Sequence, residues 1–413
     1  MFSFASADIT PHRPVPLGGY GWRTSEYAGI ADPLEANFVV IRQGEREVVL
    51  VTADLLYCGE DLRRALLERL GLTASPECLF LGASHTHGAP MTQSGIPKVG
   101  IPDQEYVQFA ADRIAVAITK VRRNVAPAWV TYHNGRANHS MNRRLKRLRI
   151  TPRGLRYSSD MGPNPDGERD EEVSVLRICS GQGDVRAVIW SYACHPTGRP
   201  GLNMVSADYP GVVRQQLRQR YGPIPVLFLQ GFSGDLRPPF GARVTDMRSL
   251  VLRICLGPLF GRPNLPEWQR WADSLGQYVC QIVHTDGVKV KALPLCSTRC
   301  AVDWPGVRWW NHNRRDLAFH LVMLGQIAIL GISAEVVSSY RRLVEKLFAN
   351  YKVIPVGCID QTWAYLPTDG MLPEGGYEVE GFAPYFDFPG TYQGNLENDL
   401  AAGLVQLRNA ITN

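Results

Sequence analysis

The chain has 413 residues, 45% hydrophobic and 20% charged, with a formal net charge of +5; this composition excludes a disordered chain and provides for one large core or two smaller ones. No stretch approaches the roughly eighteen uninterrupted apolar residues of a membrane span, and Met1-Phe2-Ser3-Phe4-Ala5-Ser6-Ala7-Asp8 lacks the basic start and apolar run of a secretory leader. The nine cysteines are odd in number and scattered among apolar runs (Cys78, Cys179, Cys194, Cys255), as suits reduced residues filling a core, so a cytoplasmic protein is expected.

Short apolar runs predict strands at Asn37–Ile41, Val48–Thr52, Leu79–Ala83, Ala187–Ala193, Val226–Gln230, Ile327–Ile332 and Val353–Val356. Between them, Leu62, Leu66 and Leu70 form one helical stripe, Val107, Ala111, Ile114, Ile118 and Val121 a longer one, and Val337, Tyr340, Val344 and Leu347 a third. Strands interleaved with helices predict an α/β or mixed α+β core, a central mixed β-sheet flanked by helices, with chemistry gathered at strand ends. No internal repeat is found. Asn138–Asp170, rich in Arg, Pro, Gly and Asp, reads as a long loop near the site or a mobile lid, and 240–310 reads as a helical insertion. Neither resembles a linker, so a single catalytic domain over 1–413 is expected.

Five cations fall within Arg143–Arg149. Without aromatic interleaving or a nucleic-acid motif, Arg144 to Arg149 reads as a solvated loop rather than a nucleic-acid contact. Cys296 and Cys300 are spaced CxxxC with no second pair nearby, which does not make a structural zinc knuckle.

The chemistry-bearing residues sit where strands stop. Ser84-His85-Thr86-His87-Gly88 follows the Leu79–Ala83 run, and histidines two apart at the end of an extended segment can reach one metal or substrate atom. His195 follows the Ala187–Ala193 run and precedes Pro196, and Glu335 follows the Ile327–Ile332 run and opens the stretch toward Arg341 and Arg342. Catalytic zinc takes three protein ligands of nitrogen or carboxylate type and keeps a position for water. Taken singly, each residue reads as a helix cap or a satisfied core histidine sooner than as a ligand.

The ordered series Ala7-Asp8-Ile9-Thr10, Gly18-Gly19-Tyr20, Ala28-Gly29-Ile30, Ala53-Asp54-Leu55, His85-Thr86-His87, Asn142-Arg143, His195-Pro196-Thr197, Ser206-Ala207-Asp208, Gly234-Asp235, Glu335 with Arg341-Arg342, and Tyr377-Glu378 resembles the catalytic domain of the neutral, non-lysosomal ceramidases, zinc-dependent amidases that cleave the N-acyl bond of ceramides. The resemblance covers most of the chain. It implies a zinc ion held by His85, His195, Glu335 and Tyr365. It also implies that His87, Arg143 and Tyr377 surround the substrate amide as oxyanion donors, with His87 able to protonate the leaving amine. Gly19 matches a glycine that admits a close backbone approach, and Asp54 and Asp208 match supporting positions, Asp54 reading equally as a strand-end cap.

Two departures bear on the substrate. Gly234-Asp235-Leu236-Arg237-Pro238 stands where the ceramidases carry Gly-(Asp/Asn)-x-Ser-Pro, which removes a serine hydroxyl and places an arginine that either recognises an anionic substrate group or pairs with a buried acid. The chain also ends at Asn413, so the family's extra C-terminal β domain is expected to be absent. The expected function is zinc-dependent hydrolysis of a small-molecule amide, of N-acyl amine or N-acyl amino acid type, with an anionic substrate suggested by Arg237. Hydrolysis or acyl transfer on an ester, lactone or cyclic amide, or a non-catalytic metal-binding scaffold, are the alternatives.

Overall fold

A computed structural model describes residues 1–21, 23–151, 154–242, 247, 257–290, 294–310 and 312–412. Its organising feature is one topology used three times. Glu35–Gln43 and Arg46–Ala53 form an antiparallel pair, the helix Gly59–Leu70 follows, and Leu79–Ala83 returns parallel to Arg46–Ala53. Glu172–Ser180, Val185–Tyr192, the helix Asp208–Tyr221 and Val226–Gln230 repeat this arrangement. So do Asp316–Leu324, Ile327–Ile332, the helix Tyr340–Leu347 and Lys352–Val356. Each unit is completed into a mixed sheet by further antiparallel strands: Phe2–Asp8 in the first, Ala128–Arg136 and Val288–Lys289 in the second, Leu295–Asp303 in the third. The recurrence is one of topology, with no matching sequence period.

Side-chain alternation explains why the three sheets assemble. Val39, Leu50 and Phe80 of the first, Leu176, Ile189 and Leu227 of the second, and Val322, Ile329 and Ile354 of the third share one buried cluster. Their sequence neighbours face the other way. Val40, Val49 and Leu81 pack on the helices Gly59–Leu70 and Gln104–Arg122, Val188 and Phe228 on Asp208–Tyr221 and Leu265–His284, and Leu321 and Leu330 on Tyr340–Leu347 and Leu396–Thr412. Each strand is thus buried on both faces, which is why the runs are continuously apolar. The class is mixed α/β, with sheets inside and helices outside, as expected.

Three expectations are corrected. Asn138–Asp170 is neither loop nor lid: Met141–Thr151 and Gly154–Asn164 form a long hairpin, extended by Leu236–Arg237. Its cations are not simply solvated, since Arg144 is buried against Glu378 and Glu374 and Arg147 pairs with Asp160; distant acids consume the charge. Within 240–310, the helix Leu265–His284 begins with an Asn264 capping box, but Leu295–Asp303 is a sheet strand paired with Asp316–Leu324. The segment is therefore part of the second and third units rather than a purely helical insertion, and 243–246, 248–256 and 291–293 lie outside the described residues. The eight described cysteines, Cys296 and Cys300 included, are free. No helix among the described residues is long and apolar enough to cross a membrane.

The units join where their parallel strands end. Ala83 N–H donates to Cys358 O (3.3 Å) and Asp360 N–H to Leu81 O (3.0 Å) between the first and third units, and Gly357 N–H to Gln230 O (2.9 Å) between the third and second. The segments that follow these strands are thereby gathered at one end of the shared core.

Candidate functional site

His85, His195 and Glu335, one from each unit, meet at that end. His85 leaves its strand with φ 65°, a left-handed conformation that costs a non-glycine residue about 1–3 kcal/mol and is held only where the surroundings impose it. Its Nδ1 lies 3.1 Å from Leu56 O, and its Nε2 is buried without a hydrogen bond. His195 Nδ1 lies 2.7 Å from Ser233 O and 2.9 Å from Leu236 O. Carbonyls only accept, so in both rings Nδ1 carries a proton, and in the neutral ring Nε2 presents a lone pair.

Those lone pairs point at a carboxylate. Glu335 Oε2 is 3.0 Å from His195 Nε2 and 3.4 Å from His85 Nε2. Glu335 is not the start of a helix: Glu335–Val336 is a short strand parallel to Tyr365–Leu366, with Glu335 and Tyr365 register partners, and the helix begins at Tyr340. The pairing brings Tyr365 beside the same carboxylate. The four residues named from the resemblance are therefore brought together.

Three acceptor atoms converging in a buried site need a positive charge between them. Burial pushes His195 down to about 4. Burial acts against the Glu335 carboxylate, but His85 and His195 outweigh it and hold its pKa well below the ordinary range. For His85 burial is outweighed by Cys358 and Glu335, which raise it. A proton on His85 is one way to screen Glu335; a metal ion, which takes deprotonated ligands, is the other. The orphaned Nε2 of His85 and the nitrogen and carboxylate donor set fit zinc. His85, His87 and His195 also present one atom each within 4.8 Å of one another and can hold a metal ion.

His87 stands on the open side. Both of its ring nitrogens are buried without hydrogen bonds, and its ring lies 5.2 Å from that of His85, 6.2 Å from that of His195 and 4.9 Å from that of Tyr20. Burial, then the neighbouring His85 and His195, push its pKa well below the usual value. Gly19, with φ 104°, passes so close that a Cβ there would lie 2.4 Å from His87 Nδ1. Arg23 locks this approach, donating to Gly18 O and, at 2.7 Å, to His87 O.

A cavity of about 280 Å³ opens over the cluster, lined by His87, His195, Glu335, Tyr57, Tyr365, Arg143, Tyr377 and Arg237 among others. Arg143 is aimed by Glu378, which accepts from its Nε at 2.7 Å and from Arg144 Nη1 at 2.7 Å. The Arg143 guanidinium lies 5.4 Å from the Tyr365 ring centroid and 5.2 Å from that of Tyr377, and its Nη2 is left without a partner. Asp235 ties these parts together: its backbone carbonyl accepts from Arg143 N–H (2.9 Å), and its carboxylate from Asn142 Nδ2 (2.9 Å) and Ser338 N–H (2.7 Å). Gly234 is needed where it stands, since a Cβ would meet Glu335 O at 2.6 Å.

Two site-linked residues escaped the sequence reading. Tyr57 donates to Glu335 Oε1, and Cys358 adjoins His85. Both follow strand ends, but nothing in their local sequence marks them. Asp54 and Asp208 are placed away from the ligand atoms: Asp54 pairs with Arg214 at 2.8 Å and Asp208 accepts backbone N–H groups of Arg199 and Tyr209.

No protein-family model matches the chain. It is 26% identical to the neutral ceramidase of Mycobacterium tuberculosis over 56% of its own length and 39% of that protein's, so the chain spans about two-fifths of this relative. Its fold matches the neutral ceramidase from Pseudomonas aeruginosa with a TM-score of 0.73 and 18% identity, covering 99% of this chain and 74% of that one. A ceramidase complexed with C2 matches with a TM-score of 0.72 and 17% identity, covering 100% and 75%. The chain is thus similar to neutral ceramidases, in sequence over part of its length and in fold over nearly all of it.

Proposed function

We propose that the chain is a zinc-dependent hydrolase of small-molecule amides. The observation that carries this reading is the convergence of His85 Nε2, His195 Nε2 and Glu335 Oε2 beneath a cavity, a donor set that calls for a cation; the ceramidase relatives, named for an amide substrate, support the reaction class. His85, His195, Glu335 and Tyr365 would hold the ion. Zinc bound there supplies a Lewis acid that polarises a carbonyl and lowers the pKa of water to about 7.

The chain's own groups then divide the remaining work. Arg143, whose Nη2 has no hydrogen-bond partner, and Tyr377 line the cavity and would donate to the oxyanion as the carbonyl carbon becomes tetrahedral. His87, kept neutral by burial, accepts a proton at one ring nitrogen and passes it to the departing amine. Glu378 holds Arg143 in place through Nε and leaves Nη2 for substrate.

Turnover of N-acyl amines, N-acyl amino acids, esters and lactones by zinc-loaded and chelated protein tests the proposal. Metal-dependent release of amine is expected. Turnover confined to esters or lactones would place the chain in another hydrolase class, and none on any compound would favour a binding scaffold.

A further inference from the structure

The residue that departs furthest from the ceramidase pattern is also a cavity cation with no acidic partner among the described residues. Arg237 lies in the short strand Leu236–Arg237, held in register with Met141, and its preceding residue supplies a carbonyl to His195 Nδ1. It is therefore fixed one residue from the backbone that orients His195. Its guanidinium stacks over Phe260 at 4.4 Å from the ring centroid, its Nε is buried without a hydrogen bond, and it lines the cavity.

The structural alternative, an arginine paired with a buried acid, is not what is seen. Asp235 is satisfied by Asn142 and Ser338, and Asp208 by Arg199 and Tyr209. Among the described residues Arg237 forms no ion pair, whereas the other cation of the cavity, Arg143, is matched by Glu378. A largely buried guanidinium with no counter-charge among the described residues is costly unless something entering the cavity supplies one. The cavity, about 280 Å³, falls just below the range of about 300–1,000 Å³ for ligand pockets, which favours a compact substrate over a two-chain lipid.

We propose that Arg237 makes this site selective for small amides bearing a carboxylate, of the N-acyl amino acid type, by bidentate contact between its guanidinium and that carboxylate. The inference rests on the amidase reading for the chemistry, but binding alone reports on it. Planar guanidinium and carboxylate groups match in geometry, and a charge-assisted pair of this kind is worth about a tenfold to hundredfold preference.

The test measures kcat/KM for an N-acyl glycine and for the matching N-acyl ethanolamine in the wild type, Arg237→Gln and Arg237→Lys, all checked for native circular dichroism. Alongside it, calorimetry measures binding of the γ-keto acid in which CH2 replaces the amide N–H, and of its neutral alcohol counterpart. The wild type should prefer the carboxylate about tenfold to hundredfold in both assays. Arg237→Gln should abolish that ratio, and Arg237→Lys, which keeps the charge but not the fork, should retain part of it. An N-acyl compound carrying a phosphate instead should be a poorer substrate than the carboxylate. A wild-type ratio near one, a phosphate preference, or equal losses on charged and neutral compounds in Arg237→Gln overturns the proposal. Arg237-dependent binding of the keto acid without hydrolysis of any amide would uphold it and sink the amidase reading instead; hydrolysis without charge preference would do the reverse.

Discussion

Gly19→Ala perturbs the site through a single methyl group. A Cβ at this position would stand 2.4 Å from His87 Nδ1 and 2.8 Å from Cγ, and to restore an ordinary contact of 3.4 Å the ring must retreat by about 1 Å. Neither side yields readily. The Gly18 and His87 carbonyls are clamped by Arg23, whose Nε also donates to Leu17 O at 3.2 Å, and φ 104° is strained for any residue with a Cβ. Backbone strain of this kind costs about 1–3 kcal/mol, which for a chain of this size is a fall in Tm of only about 1–4 °C. A displacement of about 1 Å in a reacting group, by contrast, costs about a hundredfold in rate. Gly19→Ala is therefore expected to melt close to the wild type, retain its metal and lose about two orders of magnitude in kcat on a substrate amide. Calorimetric melting, metal analysis and steady-state kinetics on one preparation check this, and wild-type kcat in a folded Gly19→Ala protein would refute the placement of His87 at the reaction.

His87→Ala should lower turnover by about a hundredfold or more while keeping its metal; loss of metal would instead make His87 a ligand with His85 and His195. Tyr57→Phe removes the hydroxyl that holds Glu335 Oε1 and should weaken metal affinity about 10–100-fold, read by competition with a chelator. Glu378→Gln strips the counter-charge from Arg143, leaves Arg144 only Glu374, and should cost about 3–5 kcal/mol in denaturant unfolding at pH 7. Burial opposes the Glu378 carboxylate, but Arg143 and Arg144 outweigh it and depress its pKa. A depressed carboxylate stabilises the fold above its unfolded pKa and loses that contribution as pH falls through the folded value. The stability gap between wild type and Glu378→Gln should therefore narrow on acidification through that value; a gap independent of pH would argue against the pairing.

The core strands were legible because they are buried on both faces. Leu79–Ala83, Val226–Gln230 and Ile327–Ile332 have the observed bounds, and the stripes Leu62, Leu66, Leu70 and Val107 to Val121 lie on the helices Gly59–Leu70 and Gln104–Arg122. What was not legible depends on partners far along the chain. The hairpin Met141–Asn164 looked like a loop because its charges are answered by Glu374 and Glu378, more than two hundred residues later. The threefold topology left no trace because each unit meets the same packing demand with different residues. Of the site, the histidines and Glu335 announced themselves at strand ends, but Tyr365 came from resemblance alone, since only its pairing with Glu335 makes it more than a core aromatic. Tyr57, 278 residues from Glu335 in sequence, had no signal at all.

In the proposed site one zinc ion sits among His85, His195, Glu335 and Tyr365, with His87 outside its coordination shell. A crystal structure of zinc-loaded protein, with anomalous data collected on both sides of the zinc absorption edge, tests it directly. One anomalous peak is expected within about 2.0–2.2 Å of His85 Nε2, His195 Nε2 and a Glu335 oxygen, adjacent to the Tyr365 hydroxyl. A peak held by His85, His87 and His195 with Glu335 turned away, or full zinc loading with no peak at this cluster, would contradict it.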